Sequence, residues 1–322
     1  MKHLLSIADL ERADIEHLLE RAESFAEGIG RRDIKKVPAL RGKTIVNLFL
    51  EPSTRTSSSF ELAAKRLSAD VISVKASGSS VEKGESLKDT IATLSAYSPD
   101  AIVIRSPQAG AARLVAGWTK AAVVNAGDGK HEHPSQALLD LYALGRRVDS
   151  IAGKRIWIVG DVLHSRVARS CAMAFRKMGA EVTLCGPPTL IPRDIGTALD
   201  CEVCHDLDGL GEADVVYALR MQRERMKESY LPSLREYAAL YQIDSRRLGP
   251  RQLLMHPGPV NRGIELSAGA IDGPSSLIGE QVEAGLYMRM AILFEVLTGP
   301  REGAHVAVED ELEAPTPIGE PA

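Results

Sequence analysis

The chain has 322 residues, 44% of them hydrophobic and 25% charged, with a formal net charge of −4 at pH 7. This is enough length for two hydrophobic cores and enough apolar material to fill them. The slightly negative balance excludes a general affinity for nucleic acid or for an anionic membrane surface, so any anionic ligand must be held by local Arg and Lys clusters.

Near the start, MKHLLSIADLERAD acquires charges too early for a secretory signal, and nowhere is there the run of about 18 apolar residues that a spanning helix needs. Ile15, Leu18, Leu19, Ala22 and Phe25 recur at helical spacing and predict an amphipathic helix. Residues 44–50 (TIVNLFL) read as a buried strand, and residues 57–67 as a helix with Phe60, Ala63, Ala64 and Leu67 on one face. Further strands are predicted at 71–74, 101–105 and 121–125, with helices near 86–97, 110–118 and 135–147. A second set begins with the strand 155–162 (RIWIVGDV) and the helix 165–178, followed by strands at 181–185, 214–217 and 253–256 and a strong helix over 281–297.

Repeated β–α alternation predicts an α/β protein with two doubly wound parallel-sheet domains joined by helices. The expected division is 1–140, with the C-terminal helix 281–298 packing back on it, and 141–280. Residues 300–322, rich in Glu, Pro and Gly, are expected to form a flexible tail. Cys201-Glu-Val-Cys204-His205 matches a haem-attachment spacing formally, but that chemistry belongs outside the cytoplasm, and a single Cys pair lacks the second ligand pair of a zinc site. Four cysteines in this length are no disulfide scaffold, and a cytoplasmic location is the expectation.

Ligands of open α/β sheets sit at the carboxyl ends of the strands, and the chemistry-bearing residues fall there. Ser53-Thr54-Arg55-Thr56 follows a strand and opens a helix, where unpaired N–H groups and the helix dipole favour an anion. Arg55 adds a planar cationic fork suited to phosphate. A plain helix cap would explain one hydroxyl but not the arginine. Arg105 ends another strand and leads into RSPQAGAAR. Asn125 to Gly129 (NAGDG) runs toward His133-Pro134-Ser135-Gln136 and Asp140. Arg166 follows RIWIVGDV, and Arg220-Met221-Gln222 follows DVVYAL. Most arginines are surface residues or structural ion-pair partners, but two more at strand ends would suit a ligand with two carboxylates.

The stretch FLEPSTRTSSSFE, together with the segments at 105–113, 125–129 and 133–140, resembles the transcarbamylase family, and the agreement runs in order from about residue 3 to 298. Ser79 to Ser86 (SSVEKGES) looks like the mobile lysine loop of the branch that uses aspartate. The ornithine-using branch carries a His-Cys-Leu-Pro segment where this chain has His256-Pro257-Gly258-Pro259, and a Ser-Met-Gly element that is absent here. The resemblance implies transfer of the carbamoyl group of carbamoyl phosphate to the amine of L-aspartate, an early step of pyrimidine synthesis, without metal or organic cofactor.

By the same resemblance, Ser53, Thr54, Arg55 and Thr56 grip the phosphate, and Arg105, Thr56 and His133 donate to the carbamoyl carbonyl oxygen. Gln136 and the backbone carbonyls of Gly258 and Pro259 hold the carbamoyl NH2. Lys83 reaches both substrates from a neighbouring subunit of a homotrimer, Arg166 takes the α-carboxylate of aspartate, and Arg220 with Gln222 its side-chain carboxylate. Regulatory chains or a dihydroorotase are further partners known in the family. Two departures stand out: Ser106 where many relatives have His, and Gly258 where many have Leu, which implies a more flexible loop.

Three rivals are weighed. An ornithine-type enzyme would need a site for a cationic side chain. A non-catalytic paralogue would be expected to lose motif residues, yet all are present. A nucleotide-binding dehydrogenase would need G-x-G-x-x-G where Gly160-Asp-Val-Leu-His-Ser stands.

Overall fold

The computed structural model describes residues 1–30, 35–75, 84–222, 225–226 and 230–299. The expected lysine loop around Lys83 and the expected tail at 300–322 therefore lie outside the described residues. The elements alternate as the sequence pattern predicts. In chain order the first set is α1 (Arg12–Gly30), β1 (Thr44–Phe49), α2 (Thr54–Arg66), β2 (Asp70–Lys75), α3 (Leu87–Ala96), β3 (Ala101–Ser106), α4 (Ala111–Trp118), β4 (Ala122–Asp128) and α5 (Pro134–Gly145). The second is β5 (Arg155–Val159), α6 (Arg166–Lys177), β6 (Glu181–Cys185), α7 (Ile195–Leu199), β7 (Glu202–Cys204), β8 (Val215–Ala218), α8 (Leu234–Tyr241), β9 (Leu253–Met255), α9 (Ala268–Ile271) and α10 (Ile278–Thr298). Among the described residues no helix is long and apolar enough to cross a membrane.

Two parallel sheets result, in the orders β2-β1-β3-β4 and β7-β6-β5-β8-β9. Ile45 pairs in register with Val71 on one side and Ala101 on the other, and Ile156 with Val182 and Val215. In both sheets the chain reverses its direction of winding next to the first strand in sequence, between β1 and β3 and between β5 and β8. Adjacent connections there leave on opposite faces, and a crevice opens beyond the strand ends.

One face of the first sheet carries α1, α2, α5 and α10, while Val46, Leu48, Ile102 and Ile104 pack on the other against Ile91 and Val115 of α3 and α4. In the second sheet Ile156 and Ile158 face α6, and Val159 and Val216 face Tyr237 and Tyr241 of α8.

Helix α5 lies between the two halves, touching β4, α1, α6 and α10, and every residue from Pro134 to Leu144 is buried. A helix buried on all sides must be apolar or carry polar groups with dedicated partners. Ser135, Gln136 and Asp140 on α5, and His133 at its amino end, are of the second kind.

Three differences from the sequence pattern have plain causes. Helix α2 starts at Thr54, earlier than its apolar face, because its first turn is hydroxyl-rich. Strand β5 ends at Val159 because Gly160 turns at φ +128, so Asp161 and Val162 belong to the loop. Strand β7 is a three-residue edge whose Glu202 and Val203 are exposed, which gives no buried alternation to detect. The Cys201–His205 stretch is this edge strand and its exit, with Cys204 in register beside Cys185.

Candidate active site

The first wall of the cleft is the amino end of α2. Ser53 occupies the cap position with extended backbone, yet its side chain makes no capping hydrogen bond. Its hydroxyl instead accepts from Arg105 Nη1 at 3.2 Å. By contrast Ser165, at the start of α6, caps Ala168 N at 3.1 Å. The first-turn N–H groups of α2 thus keep their capacity for an external anion. Thr54 and Arg55 are exposed beside them, and Thr56 is buried.

Arg55 crosses toward the turn after β9. A β-carbon at Gly258 would stand 2.7 Å from Arg55 Cζ, and Gly258 has φ +62. The glycine that the sequence suggests as a flexible variant is thus what lets the guanidinium lie flat on the 256–259 turn. Burial, and then the neighbouring Arg220, pull the Arg55 pKa below its usual value. The arginine of the α2 loop and the arginine after β8 are thus within electrostatic reach of each other. Gln222 is next to Arg220, accepting from its Nη1 at 3.4 Å.

Arg105 at the end of β3 and Arg166 at the start of α6 meet through Glu51. Arg105 Nε donates to Glu51 Oε2 at 3.2 Å and Arg166 Nη2 to the same oxygen at 2.5 Å, while Arg225 Nη2 donates to Oε1 at 2.7 Å. Burial raises the Glu51 carboxyl, but Arg166, Arg105 and Arg225 together hold it below the ordinary range. Arg166 and Arg225 also both donate to the carbonyl of Gly129, at 3.1 and 3.0 Å. Gly127 clears the way, since a β-carbon there would lie 2.9 Å from Arg166 Nε. Burial, and then Arg166, lower Arg105 to about 9. One carboxylate therefore offsets three guanidinium groups and leaves the cleft strongly positive. Glu51 and Arg225 are absent from the sequence-derived set. A carboxylate directly ahead of an anion-binding turn is the signal for Glu51, because it would repel phosphate unless several cations neutralised it.

His133 caps the buried α5. Its backbone N–H donates to Ser170 Oγ at 2.8 Å, and Ser135 Oγ lies 3.4 Å from its Nδ1. Burial, then Arg105, Arg166, Arg289 and Arg225, hold its pKa well below the usual imidazole value, so the ring is neutral. Gln136, one turn into α5, donates from Nε2 to Asp140 Oδ1 at 2.9 Å. Ser106 turns into its own loop, donating to Gln108 Oε1 at 2.6 Å, which leaves Arg105 to face the cleft.

The structure thus brings Ser53, Arg55, Arg105, Arg166, Arg220, Gln222 and the Gly258–Pro259 turn around the junction of the two sheets, with Thr56, His133 and Gln136 on the helices that line it. Lys83 is the sequence-derived site residue outside the described set. A second concavity, lined by Arg155, Trp157, Arg176 and Asp200, opens at the amino ends of β5 and β6, where Arg155 is paired with Glu212 and Arg176 with Asp200. Among the described residues no group of three His, Cys, Asp or Glu is arranged to hold a metal ion.

Known proteins resemble this chain in sequence and in fold. Residues 2–146 match the profile of the aspartate/ornithine carbamoyltransferase carbamoyl-P binding domain, and residues 152–296 that of the Asp/Orn binding domain. The chain is 54% identical over 305 residues to an aspartate carbamoyltransferase catalytic subunit of Salinispora tropica, covering 93% of this chain and 99% of that one. Among solved structures it resembles the Trypanosoma cruzi aspartate transcarbamoylase in complex with carbamoyl phosphate and aspartate. That likeness has a TM-score of 0.84 and 32% identity, over 92% of this chain and 97% of the other. It also resembles the catalytic subunit of M. jannaschii aspartate transcarbamoylase, with a TM-score of 0.82 and 36% identity over 92% and 98%. With both profiles together spanning most of its length, the chain belongs to the aspartate/ornithine carbamoyltransferase family.

Proposed function

We infer that the protein catalyses the aspartate carbamoyltransferase reaction: carbamoyl phosphate and L-aspartate give N-carbamoyl-L-aspartate and phosphate, an early step of pyrimidine synthesis. What supports this reading is that Arg105 and Arg166 share the Glu51 carboxylate while Arg55, with Arg220 as its like-charged neighbour, lies on the 256–259 turn. Such a site suits a phosphate beside a dicarboxylate. It does not suit ornithine, whose side chain is cationic.

The phosphate takes the open N–H groups of α2 with Ser53, Thr54, Thr56 and the forks of Arg55 and Arg105. The carbamoyl oxygen receives hydrogen bonds from Thr56, Arg105 and neutral His133. The carbamoyl NH2 donates to Gln136 Oε1 and to the carbonyls of Gly258 and Pro259. Arg166 takes the α-carboxylate of aspartate, and Arg220 with Gln222 its side-chain carboxylate. Attack of the amine on the carbamoyl carbon builds negative charge on the carbonyl oxygen, which these donors meet with hydrogen bonds. They stabilise the tetrahedral transition state more than the ground state. The departing phosphate accepts the amine proton, so no strong protein base is required.

Lys83 completes the site from a neighbouring chain of a homotrimer. In support, β2, which leads into that segment, is an edge strand with a largely exposed face, and Ile72 on it is 40% exposed. Leu62 and Tyr97 are also exposed, at 43% and 66%, and apolar groups of this kind suit cover by a second copy. The division into a carbamoyl-phosphate lobe (1–140, with 281–298) and an aspartate lobe (141–280) follows the two sheets. A cytoplasmic setting agrees with four free thiols. The direct test is product formation by the purified protein: turnover with L-aspartate and none with L-ornithine is expected, and the reverse preference would overturn the reading.

A further inference from the structure

Asp140 lies in the middle of buried α5, fully enclosed, and it touches four side chains from four elements. Gln136 Nε2 on its own helix donates to Oδ1 at 2.9 Å, and Gln281 Nε2 on α10 to the same oxygen at 2.7 Å. Tyr217 OH on β8 donates to Oδ2 at 2.7 Å, and the Cys171 thiol on α6 lies 3.4 Å from it. Arg289 on α10 is the nearby cation, and it feels the Asp140 charge.

A carboxylate can only accept. It therefore decides which end of each neighbouring amide faces it: both glutamines must turn their NH2 groups inward and their carbonyl oxygens away. The consequences converge on one substrate group. Gln136 Oε1 takes no hydrogen bond among the described residues and is left facing away from Asp140. Gln281 Oε1 accepts from His256 N at 2.9 Å, and His256 Nδ1 accepts from Gly258 N at 2.8 Å. This second series of hydrogen bonds holds the turn at Gly258, against which Arg55 lies.

We propose that Asp140 is a positioning residue for recognition of the carbamoyl amino group. By anchoring the amides of Gln136 and Gln281, it aims the side-chain acceptor directly and the backbone acceptors through the His256 turn. Tyr217 and Cys171 hold the other oxygen, so the carboxylate cannot rotate to release the glutamines. The selectivity this produces is for NH2 over a group of the same size that cannot donate, because a site built to accept two N–H donors leaves its acceptors unpaired against a methyl group. The proposal rests on reading the cleft as the carbamoyl phosphate site.

The test compares two ligands that share the phosphate and the carbonyl, carbamoyl phosphate and acetyl phosphate, by equilibrium titration of the full chain. The unaltered protein should prefer carbamoyl phosphate. Asp140→Ala should weaken carbamoyl phosphate about ten-fold and acetyl phosphate less than about two-fold. Asp140→Asn keeps one oxygen for the glutamines and turns its NH2 toward the Tyr217 hydroxyl, so it should restore most of the preference. Equal weakening of both ligands would mean a purely structural role and would overturn the proposal, as would an unchanged preference in Asp140→Ala. If that variant does not fold, Gln281→Leu carries the same test with the same two outcomes. An unaltered protein that binds neither ligand would overturn the reading of the site itself. Normal binding with an unshifted variant overturns the positioning role alone.

Discussion

His133 carries the clearest electrostatic consequence of the cleft. An imidazole enclosed and faced by Arg105, Arg166, Arg289 and Arg225 loses its proton easily, and its pKa falls well below 6.5. Neutral His133, with Nδ1 toward the Ser135 hydroxyl, keeps its remaining N–H as a donor. In a protein labelled with carbon-13 at histidine Cε1, the His133 resonance should not move between pH 8 and about 6. A titration centred near 6.5 would remove the neutral-donor role. The same shift bears on stability. Below 6.5 the unfolded chain binds a proton that the folded chain refuses, so this group's contribution is lost as pH falls from 6.5 toward the lower folded value.

Arg220 gives a sharper separation of substrates. Arg220→Ala should lower kcat/KM for aspartate by about 10- to 100-fold, the scale of a charge-assisted hydrogen bond. Carbamoyl phosphate binding should not weaken, because Arg55 loses a like-charged neighbour. Equal loss for both substrates in steady-state kinetics would show that Arg220 is not a carboxylate ligand. The arginines were legible because each follows a strand or sits in a recognisable motif. Arg225 and Gln281 were not, and Glu51 was marked only by its place ahead of the anion-binding turn, because their partners lie far away in sequence: Glu51 is joined to positions 105, 166 and 225.

Strands and helices set the cleft by where they end. The segments after β1 and β3, and those after β5 and β8, leave the one place in each sheet where the winding reverses; Ser53 to Thr56, Arg166, Arg220 and Gln222 stand there, while His133 and Gln136 follow β4 and the 256–259 turn follows β9. That much was legible as buried runs such as TIVNLFL followed by polar turns. The boundaries were less so: Gly160 cuts β5 short, β7 is an exposed edge, and α8 interrupts a stretch read only as connection. None of these has a strong apolar period. The loop after β1 is also tied to the second sheet, since Glu51 binds Arg166 at the start of α6 and Arg225 after β8. Glu51→Ala would leave three buried or half-buried guanidinium groups without their shared anion, a change that favours moving them apart into water. The variant should lose activity at least about ten-fold, and its radius of gyration in small-angle scattering should increase as the halves separate. Unchanged scattering together with unchanged turnover would show that the carboxylate does not hold the lobes together.

At the scale of the whole molecule, the proposed homotrimer and the exposed β2 edge make a specific arithmetic prediction. If Lys83 serves the site of the next chain around a closed three-fold ring, Arg55 and Lys83 of any one site come from different chains. Arg55→Ala and Lys83→Ala proteins should each be inactive. In a ring containing both kinds of chain there is always one junction at which an intact Arg55 meets an intact Lys83, whichever variant is in excess. Dissociating an equal mixture and letting it reassemble should therefore restore one site in every mixed ring, about a quarter of normal activity when chains assort at random. Light scattering should report particles of at least three times the 34.7 kDa chain mass. Reassembled mixtures that stay inactive, while reassembled normal protein recovers, would mean that each chain uses its own Lys83. The cleft between the lobes would then have to be completed from within a single chain.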